Sequence, residues 1–379
     1  MTDLKLHIVA FDIPYPPDYG GAIDVFYKVK NLSEAGVRIY LHCPVYGSRQ
    51  PAAQLEALCQ KVFYYPRNTG LKGISLRLPY MVYSRKSEDL LKNLQEIDAP
   101  ILFDGVSTSY YLSHPALKKR LKILRPQNVE QDYFRLLEKR EKNLFRKAYY
   151  LTEARLSKNY EDSLQHADAF FTVAQHDHQF FKEKYPAAVH EYIPSFQPYN
   201  EVESKAGNGS FCLYHGNLGL AENKEAALFL LNEVVPFVDF PFVIAGRNPD
   251  ESLMALASRH ENCRIIANPS MEEMERLITE AHIHVLPTFQ NTGLKLKLLH
   301  ALFNGRFVLV NEAMVHGTGL SSVCKVVKTA EGFISEIKNI RGEAFDQKDI
   351  EARGSLLKGN YDNKGNADRI VTFLQQRSL

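Results

Sequence analysis

The chain has 379 residues, with 46 lysine and arginine side chains against 44 aspartate and glutamate, and a formal net charge of +2. This length is enough for two or three domains with their own cores. The near-neutral charge gives no reason to expect nucleic acid as a partner. Five scattered cysteines without a C-x-x-C pair predict neither a disulfide framework nor a zinc site. Because no long apolar segment opens the chain, we expect a cytoplasmic protein.

Short runs of β-branched and aromatic residues alternate with segments long enough for helices. The runs are LHIVAF, RIYLHC, ILFDG, LKIL, AFFTVA, FCLYHG, FVIAG, RIIAN, HIHVLPT and RFVLV. Such alternation is typical of parallel sheets covered by helices. A stretch rich in Pro, Gly, Asn and Ser, Pro194–Gly209, indicates a domain boundary. We therefore predict two α/β domains, residues 1–198 and 199–358, with a ligand site at their interface and an amphipathic helix in residues 359–379.

The segment Gln131–His166 has dense charges of both signs and neither proline nor glycine, which predicts helical structure. Two basic runs, KKRLK and KREKNLFRK, lie beside or within it. A solvated helix face is the favoured interpretation of this charge pattern. Contact with a membrane surface or with an anionic acceptor is the alternative.

Two glycine turns follow predicted strands. Gly20 and Gly21 come after LHIVAF and open a helix, so their backbone N–H groups could approach an anion without a Cβ in the way. An ordinary β–α turn explains them equally well. No G-x-G-x-x-G follows the first strand, which argues against a dinucleotide-dependent dehydrogenase.

The second turn, Gly216-Asn217, follows FCLYHG and precedes a helix predicted from about Glu222. Asn217 and Lys224 are candidates for contact with a phosphate from this loop. Here too an ordinary turn is the alternative.

The sharpest candidate is QNTGLKLKLLHALFNG, where Thr292 is a plausible N-cap of a helix reaching about Phe303. At 3.6 residues per turn, Gly293, Lys297 and His300 share one stripe. A glycine, an ammonium and an imidazole beside a helix N-terminus would suit a diphosphate and a sugar hydroxyl. The alternative is that the lysine and the histidine simply face solvent. A separate apolar stripe, expected to face the core, consists of Leu294, Leu298, Ala301 and Leu302.

A further polar cluster, RPQNVEQDYF, follows the strand LKIL. Arg125, Asn128 and Glu130 place three polar groups at a strand's carboxyl end, where α/β proteins form their sites. The alternative is a capping network for the helix that follows.

The order and spacing of these segments resemble the retaining glycosyltransferases of the GT-B fold, in particular family 4, over nearly the whole chain. The P-P-x-x-G-G loop resembles that family's opening loop, and RPQNVE resembles the R-x-H-N-x-E stretch of one branch. HGNLGLAENKEAALFLL resembles the start of the nucleotide domain. IAGRNP and TGLKLKLLHALFNGRFVLVN…GTGL resemble the donor-binding core. The resemblance implies an α/β, GT-B architecture of two Rossmann-like domains facing a central cleft, with the last helix returning to the N-terminal domain.

The resemblance also implies a function. A sugar would pass with retained configuration from a nucleotide diphosphate sugar to a glycan or lipid-linked acceptor, without metal or other cofactor. Peripheral contact with the inner membrane face would accompany a lipid-linked acceptor. The implied catalytic residues are Lys297, Thr292 and Asn217. The implied donor-binding residues are Gly20, Gly21, Gly216, Lys224, Gly246, Arg247, Gly293, Leu294 and His300, and the implied acceptor-binding residues are Ser107, Arg125, Asn128 and Glu130.

The chain departs from this family at several positions. The family's two glutamates, eight residues apart, correspond to Thr292 and His300, Gln127 replaces a histidine in R-x-H-N-x-E, and Ser107 stands where many relatives carry a histidine. Neutral His300 can hydrogen-bond a ribose hydroxyl, because imidazole both donates and accepts. Threonine cannot replace a carboxylate beside a developing positive charge.

Three hypotheses follow from these departures. The first is an active, divergent retaining glycosyltransferase. The second is a catalytically weak or inactive GT-B protein that binds a nucleotide sugar or glycan. The third is another enzyme on the same fold, such as a nucleotide-sugar epimerase, which would need an acid–base pair that the motifs do not supply.

Overall fold

A computed structural model describes residues 4–290 and 295–377. The chain divides into two compact units. Unit 1 contains the described residues up to Pro198 together with those from Tyr361 onward, and unit 2 contains those from Tyr199 to Asn360. Each unit is built on one sheet whose strands all pair in parallel, with helices between consecutive strands. The prediction of an α/β protein with two Rossmann-like domains is confirmed.

Seven strands form the sheet of unit 1, in the spatial order β3-β2-β1-β4-β5-β6-β7. They are β1 (Lys5–Val9), β2 (Arg38–Val45), β3 (Lys61–Pro66), β4 (Ile101–Asp104), β5 (Lys122–Arg125), β6 (Ala169–Thr172) and β7 (Val189–Tyr192). Every residue of β4, β5 and β6 is buried, because helices cover both faces of the sheet. The strand order reverses between β1 and β4, and ligands of open α/β sheets bind at such reversals.

The helices of unit 1 are α1 (Gly20–Glu34), α2 (Ala53–Leu58), α3 (Tyr80–Tyr83), α4 (Glu88–Glu96), α5 (Glu130–Arg140), α6 (Leu144–Tyr160), α7 (Gln175–Lys184) and α15 (Asn363–Arg377). The predicted final helix is thus present as α15. Its apolar face, which includes Ile370 and Leu374, packs into the same core as Val25 and Val29 of α1. The C-terminal segment therefore completes the core of unit 1.

The charged segment predicted to be helical forms two helices that pack on each other, α5 and α6. Asn143 separates them, and its Oδ1 accepts the backbone N–H groups of Phe145 and Arg146 at 3.0 and 3.2 Å. An asparagine N-cap of this kind starts a new helix without a proline or glycine. The result is a helical hairpin.

Six strands form the sheet of unit 2, in the order β10-β9-β8-β11-β12-β13. They are β8 (Cys212–Asn217), β9 (Phe242–Arg247), β10 (Cys263–Ala267), β11 (Ile283–Leu286), β12 (Phe307–Asn311) and β13 (Lys325–Val327). A Cβ on Gly246 would lie 1.8 Å from the carbonyl oxygen of Gly216. The close approach of β8 and β9 therefore requires glycine at position 246.

The helices of unit 2 are α8 (Ala221–Glu233), α9 (Glu251–Ala257), α10 (Met271–Glu280), α11 (Leu296–Asn304), α12 (Glu312–Val315), α13 (Ala330–Ile340) and α14 (Gln347–Asn360). The helix predicted from about Glu222 is α8. The predicted start of α11 at Thr292 lies outside the described residues, and the helix that the structure describes begins at Leu296. Within residues 4–290 and 295–377, no helix combines the length and apolar character needed to cross a membrane.

Candidate functional site

Lys297 lies in the first turn of α11 and is the centre of a polar cluster in unit 2. Its Nζ donates to Oδ1 of Asn223 at 2.7 Å and to the hydroxyl of Tyr214 at 3.2 Å, and it lies 4.9 Å from the centre of the Tyr214 ring. Burial lowers the pKa of this ammonium to about 8. An ammonium has three N–H donors, so one remains for a ligand oxygen beside the positive end of the helix.

Asn223 orients this lysine from the first turn of α8. Its Nδ2 donates to the backbone oxygen of Asn217 at 3.0 Å, while Oδ1 of Asn217 accepts the N–H of Gly219 at 3.1 Å. A Cβ on Gly216 would lie 3.2 Å from that Nδ2, so the glycine leaves room for the amide. Asn217 and Gly216, both predicted as site residues, thus shape the loop that holds Asn223 against Lys297.

His300 follows Lys297 by three residues on α11 and meets a carboxylate from another helix. Its Nε2 lies 2.9 Å from Oε2 of Glu275 on α10, and its ring stacks on Tyr199 with centres 5.0 Å apart. Because a carboxylate only accepts, Nε2 carries the proton, and in the neutral ring Nδ1 is left as an acceptor. This arrangement suits a hydrogen bond from a sugar hydroxyl.

His215, in the middle of β8, extends the cluster inward. Its ring meets that of His300 edge to face, with centres 5.7 Å apart. Burial, and to a smaller extent the nearby His300, lowers the pKa of His215 well below its ordinary value, so the ring is neutral. Its buried Nε2 has no hydrogen-bond partner among the described residues. Such a group costs roughly 1–3 kcal/mol unless a ligand or water satisfies it.

The other predicted residues of unit 2 lie at the margins of this cluster or support it. Lys224 directs its ammonium to Asp250 and, at 3.4 Å, to Oγ of Ser252. Lys224 is therefore held in an ion pair with Asp250, and Lys297 is not part of this pair. Arg247 ends β9, exposed and in register with Asn217. Three further predicted site residues, Thr292, Gly293 and Leu294, lie outside the described residues.

In unit 1 the predicted glycine turn is at the N-terminus of α1. Gly20 is exposed, whereas a Cβ on Gly21 would lie 2.4 Å from the ring of Phe11. Position 21 therefore needs glycine for packing as well. Ser107 lies half-buried in the short 3-10 helix after β4, and Asn128 lies half-buried just before α5.

The placement of Arg125 corrects its predicted role. Its side chain is completely buried and binds the carboxylate of Asp24 and the backbone oxygens of Ile193 and Pro194, the last two at 2.8 and 3.1 Å. A guanidinium enclosed in this way does not contact an acceptor. Arg125 instead ties α1 to the chain after β7.

Glu130 is the first residue of α5 and is half-buried. Burial raises the pKa of its carboxyl to about 8, with Asp177 and Glu161 adding to the shift and Arg85 opposing it. The group is therefore protonated at neutral pH. A neutral carboxyl at a ligand site can donate a hydrogen bond to a sugar oxygen.

Two units, each with a parallel sheet covered by helices, are the architecture of the GT-B fold. Solved structures confirm that fold at low identity. Sucrose-phosphate synthase from Thermosynechococcus elongatus superposes with a TM-score of 0.71 at 12% identity, covering 98% of each chain. UGT71G1 from Medicago truncatula, solved with UDP-glucose, gives 0.56 at 10% identity, again covering 98% of each chain.

The sequence comparisons concern the site more directly. Residues 210–340 match the family described as glycosyl transferases group 1, and this range contains every residue of the cluster except Tyr199. An uncharacterized 44.6 kDa protein in the cps region of Klebsiella pneumoniae is 27% identical over 384 residues, covering 95% of this chain and 97% of that protein. The family match and the fold together support a glycosyltransferase.

Proposed function

We propose that this protein is a retaining glycosyltransferase that moves a sugar from a nucleotide diphosphate sugar to a glycan or lipid-linked acceptor. The observation that carries the proposal is the half-buried Lys297 ammonium, held by Asn223 and Tyr214 at the start of α11, within the matched range. The fold resembles that of an enzyme solved with UDP-glucose, which supports a nucleotide sugar as donor.

The chemistry assigned to the cluster is charge neutralisation. As the bond between sugar and phosphate breaks, negative charge grows on the diphosphate, and an ammonium placed beforehand stabilises it without reorganisation. Lys297 takes this role and makes a metal ion unnecessary for it. His300, held by Glu275, binds a sugar hydroxyl of the nucleotide through Nδ1. Retention of configuration follows from the family resemblance.

The acceptor is assigned to unit 1, where Ser107, Asn128 and the protonated carboxyl of Glu130 lie at or near the carboxyl ends of the strands. The relative from a cps region supports a polysaccharide or its precursor as the acceptor class.

The alternative is a GT-B protein that binds a nucleotide sugar or glycan with little or no turnover. One observation favours it: the family's paired glutamates correspond to Thr292 and His300 in this chain. At the position of His300 a carboxylate is nevertheless close by, because the side chain of Glu275 lies beside the imidazole.

A donor screen tests the proposal. Purified protein is mixed with UDP-, GDP- and dTDP-sugars, and both the melting temperature and the slow hydrolysis of each donor are measured. We expect one donor to raise the melting temperature, as any ligand that binds only the native state does, and to be hydrolysed slowly. Binding without hydrolysis, and without transfer to a cell-extract acceptor, would favour the alternative. No binding of any of these donors would contradict the proposal and would leave, of the alternative, only a protein that binds a glycan.

Peripheral membrane contact is proposed at the start of α6. Leu144 and Phe145 are 78% and 89% exposed, and Lys142, Arg146 and Lys147 flank them. Large apolar side chains among basic ones favour an anionic bilayer surface. Each apolar side chain contributes about 1.5–3 kcal/mol when fully buried, so replacing both by serine should weaken binding to anionic vesicles at least about tenfold in a flotation assay. Met271→Ser, at an 81% exposed residue of unit 2, is the matched control. Equal binding by all variants would refute this contact.

A further inference from the structure

A small pocket, with a volume of about 20 Å³, lies in unit 1 at the carboxyl ends of β1, β2 and β3. Its apolar wall includes Val9, Pro44, Pro66 and Leu90, and two guanidinium groups, those of Arg67 and Arg85, also line it. Thr108, which follows β4, closes the other side, so the pocket is at the point where the strand order reverses. A pocket of this volume has room for about one water molecule or for the oxygens of a small anion, and not for a whole sugar.

The guanidinium of Arg67 lines the pocket, and its two terminal nitrogens can donate hydrogen bonds to a ligand. Its Nε donates to Oγ of the buried Ser84 at 3.0 Å, and its guanidinium lies 4.4 Å from the centre of the Tyr46 ring. Among the described residues, its two terminal nitrogens donate no hydrogen bond and no carboxylate lies within 4.0 Å. The serine and the tyrosine thus hold a planar fork of donors whose charge is not neutralised.

Arg85 is held by backbone oxygens. Nε and Nη2 donate to the carbonyl of Phe11 at 3.1 and 2.9 Å, and Nη1 donates to that of Met81. Within the described part of the chain it too has no carboxylate within 4.0 Å. Two of its five N–H groups remain. Burial, followed by the charge of Arg67, lowers the pKa of Arg85 to about 10, yet it stays protonated at neutral pH.

The acidic groups that act on Arg85, Asp12 and Glu130, lie beyond ion-pair distance of it and offset its charge only in part. Asp12 pairs with Arg49 at 3.5 Å and accepts a hydrogen bond from Tyr19 at 2.7 Å. Glu130, whose pKa burial raises to about 8, is neutral at pH 7. Two partly desolvated positive charges without a carboxylate within 4.0 Å are unfavourable, and a bound anion would stabilise both.

A chain of hydrogen bonds determines whether the remaining polar side chains of the wall can donate to a ligand or only accept from it. Nε2 of His7 lies 3.0 Å from the carbonyl of Ile97 and must donate to it, so Nδ1 of His7 accepts from Nε2 of His42 at 2.8 Å. Nδ1 of His42 then accepts from the hydroxyl of Tyr65, also at 2.8 Å. Burial lowers the pKa of both histidines, so they stay neutral. The tyrosine oxygen can therefore only accept from a ligand, which leaves the two arginines as the anion donors.

We propose that this pocket binds an anionic group of the acceptor, a carboxylate or a phosphate, at Arg67 and Arg85, with the sugar ring outside the pocket. A bidentate guanidinium suits the planar oxygens of a carboxylate and those of a phosphate alike. The inference rests on the proposed function, in which unit 1 receives the acceptor, and it narrows the acceptor to an acidic one.

Titration calorimetry on the full chain tests the pocket, with glucuronate, glucose 6-phosphate and neutral glucose as separate probes. We expect at least one anionic sugar to bind at least tenfold more tightly than glucose, and the preference between the two to identify carboxylate or phosphate. Arg67→Met should remove this difference. Arg77→Met, at an exposed arginine of the same segment, should leave it unchanged.

Folding and donor binding are monitored in parallel. Circular dichroism and the melting response to the nucleotide sugar should be unchanged in Arg67→Met, because the donor cluster is in unit 2. If that variant misfolds, Arg67→Lys keeps the charge, loses the fork and should still weaken anion binding several-fold. Equal affinity for glucose and both anions, or equal losses in Arg67→Met and Arg77→Met, overturns the proposal. Anion binding in a protein that binds no donor would leave the pocket standing and remove the proposed function instead.

Discussion

Replacing Lys297 by methionine should weaken donor binding about 100-fold. The variant keeps the length of the side chain but loses the ammonium that Asn223 and Tyr214 hold at the start of α11. Preorganised charge of this kind contributes roughly 2.7–4 kcal/mol to a developing oxyanion, so the rate of donor hydrolysis should fall by a similar factor. Calorimetry with the donor found by screening gives the affinity, and single-turnover hydrolysis gives the rate.

Two neighbouring lysines are the controls. Lys295 precedes α11, and Lys224 pairs with Asp250, so replacing either by methionine should change donor affinity no more than about threefold, the scale of an exposed ion pair. Equal losses in the three variants would contradict the assignment of the ligand face to Lys297.

The pH dependence of binding provides a second readout on the same lysine. Burial lowers the pKa of Lys297 to about 8, so the ammonium is mostly protonated at pH 7 and mostly neutral at pH 9. Only the protonated form attracts a diphosphate. Donor affinity should therefore fall roughly tenfold from pH 7 to pH 9 in the native protein, and that fall should be absent in Lys297→Met. A pH dependence that survives the substitution would assign the titration to another group.

The strands of both sheets were predictable from the sequence except at three of the four edges. The strands at the centre of each sheet, such as β4 and β12, are short apolar runs because helices cover both faces. The three strands that the sequence did not indicate, β3, β7 and β13, are all edge strands. Their residues are mostly half-buried or exposed, as in KVV of β13, so hydrophobic patterning leaves little trace of them.

The candidate site was predictable only where its residues share one element. Lys297 and His300 are three residues apart on one helix, and that spacing put both on one face. Their partners Asn223, Tyr214 and Glu275 come from α8, β8 and α10, and no local pattern connects them. Pairing across elements depends on tertiary packing, which a single sequence does not encode locally.

Arg125 is a residue that the sequence suggested for the site and that the structure places in the protein interior. A charged residue at a strand's carboxyl end suggested a ligand contact, but its partner Asp24 lies 101 residues away on α1. Together with Lys28 and Asp104 they form a quartet of two positive and two negative side chains, none more than 2% exposed. A charged residue type in the sequence does not show whether the side chain is solvated or paired with another charge inside the protein.

Asp24→Asn should be the most destabilising conservative substitution in unit 1. The change keeps the shape of the side chain but leaves Arg125 and Lys28 buried with a single carboxylate, Asp104. Breaking a buried pair costs roughly 3–5 kcal/mol, because an uncompensated charge remains in the interior. At 2–4 °C per kcal/mol, the melting temperature of this unit should fall on the order of 10 °C.

The exposed pair Lys364–Asp368 supplies the control, since its side chains are 85% and 54% exposed and Asp368→Asn should cost under about 1 kcal/mol. Burial alone would raise the pKa of Asp24, but Arg125, Lys28 and the N–H of Phe196 outweigh it and hold the pKa below its ordinary value of 3.8. The stability that this carboxylate contributes is therefore present above pH 4 and is lost as the pH falls further. The difference between the denaturant midpoints of the native protein and Asp24→Asn should narrow steadily below pH 4, because the folded-state pKa of Asp24 lies well below 3.8. A difference that is as large at pH 2 as at pH 7 would show that the charge of Asp24 is not its source.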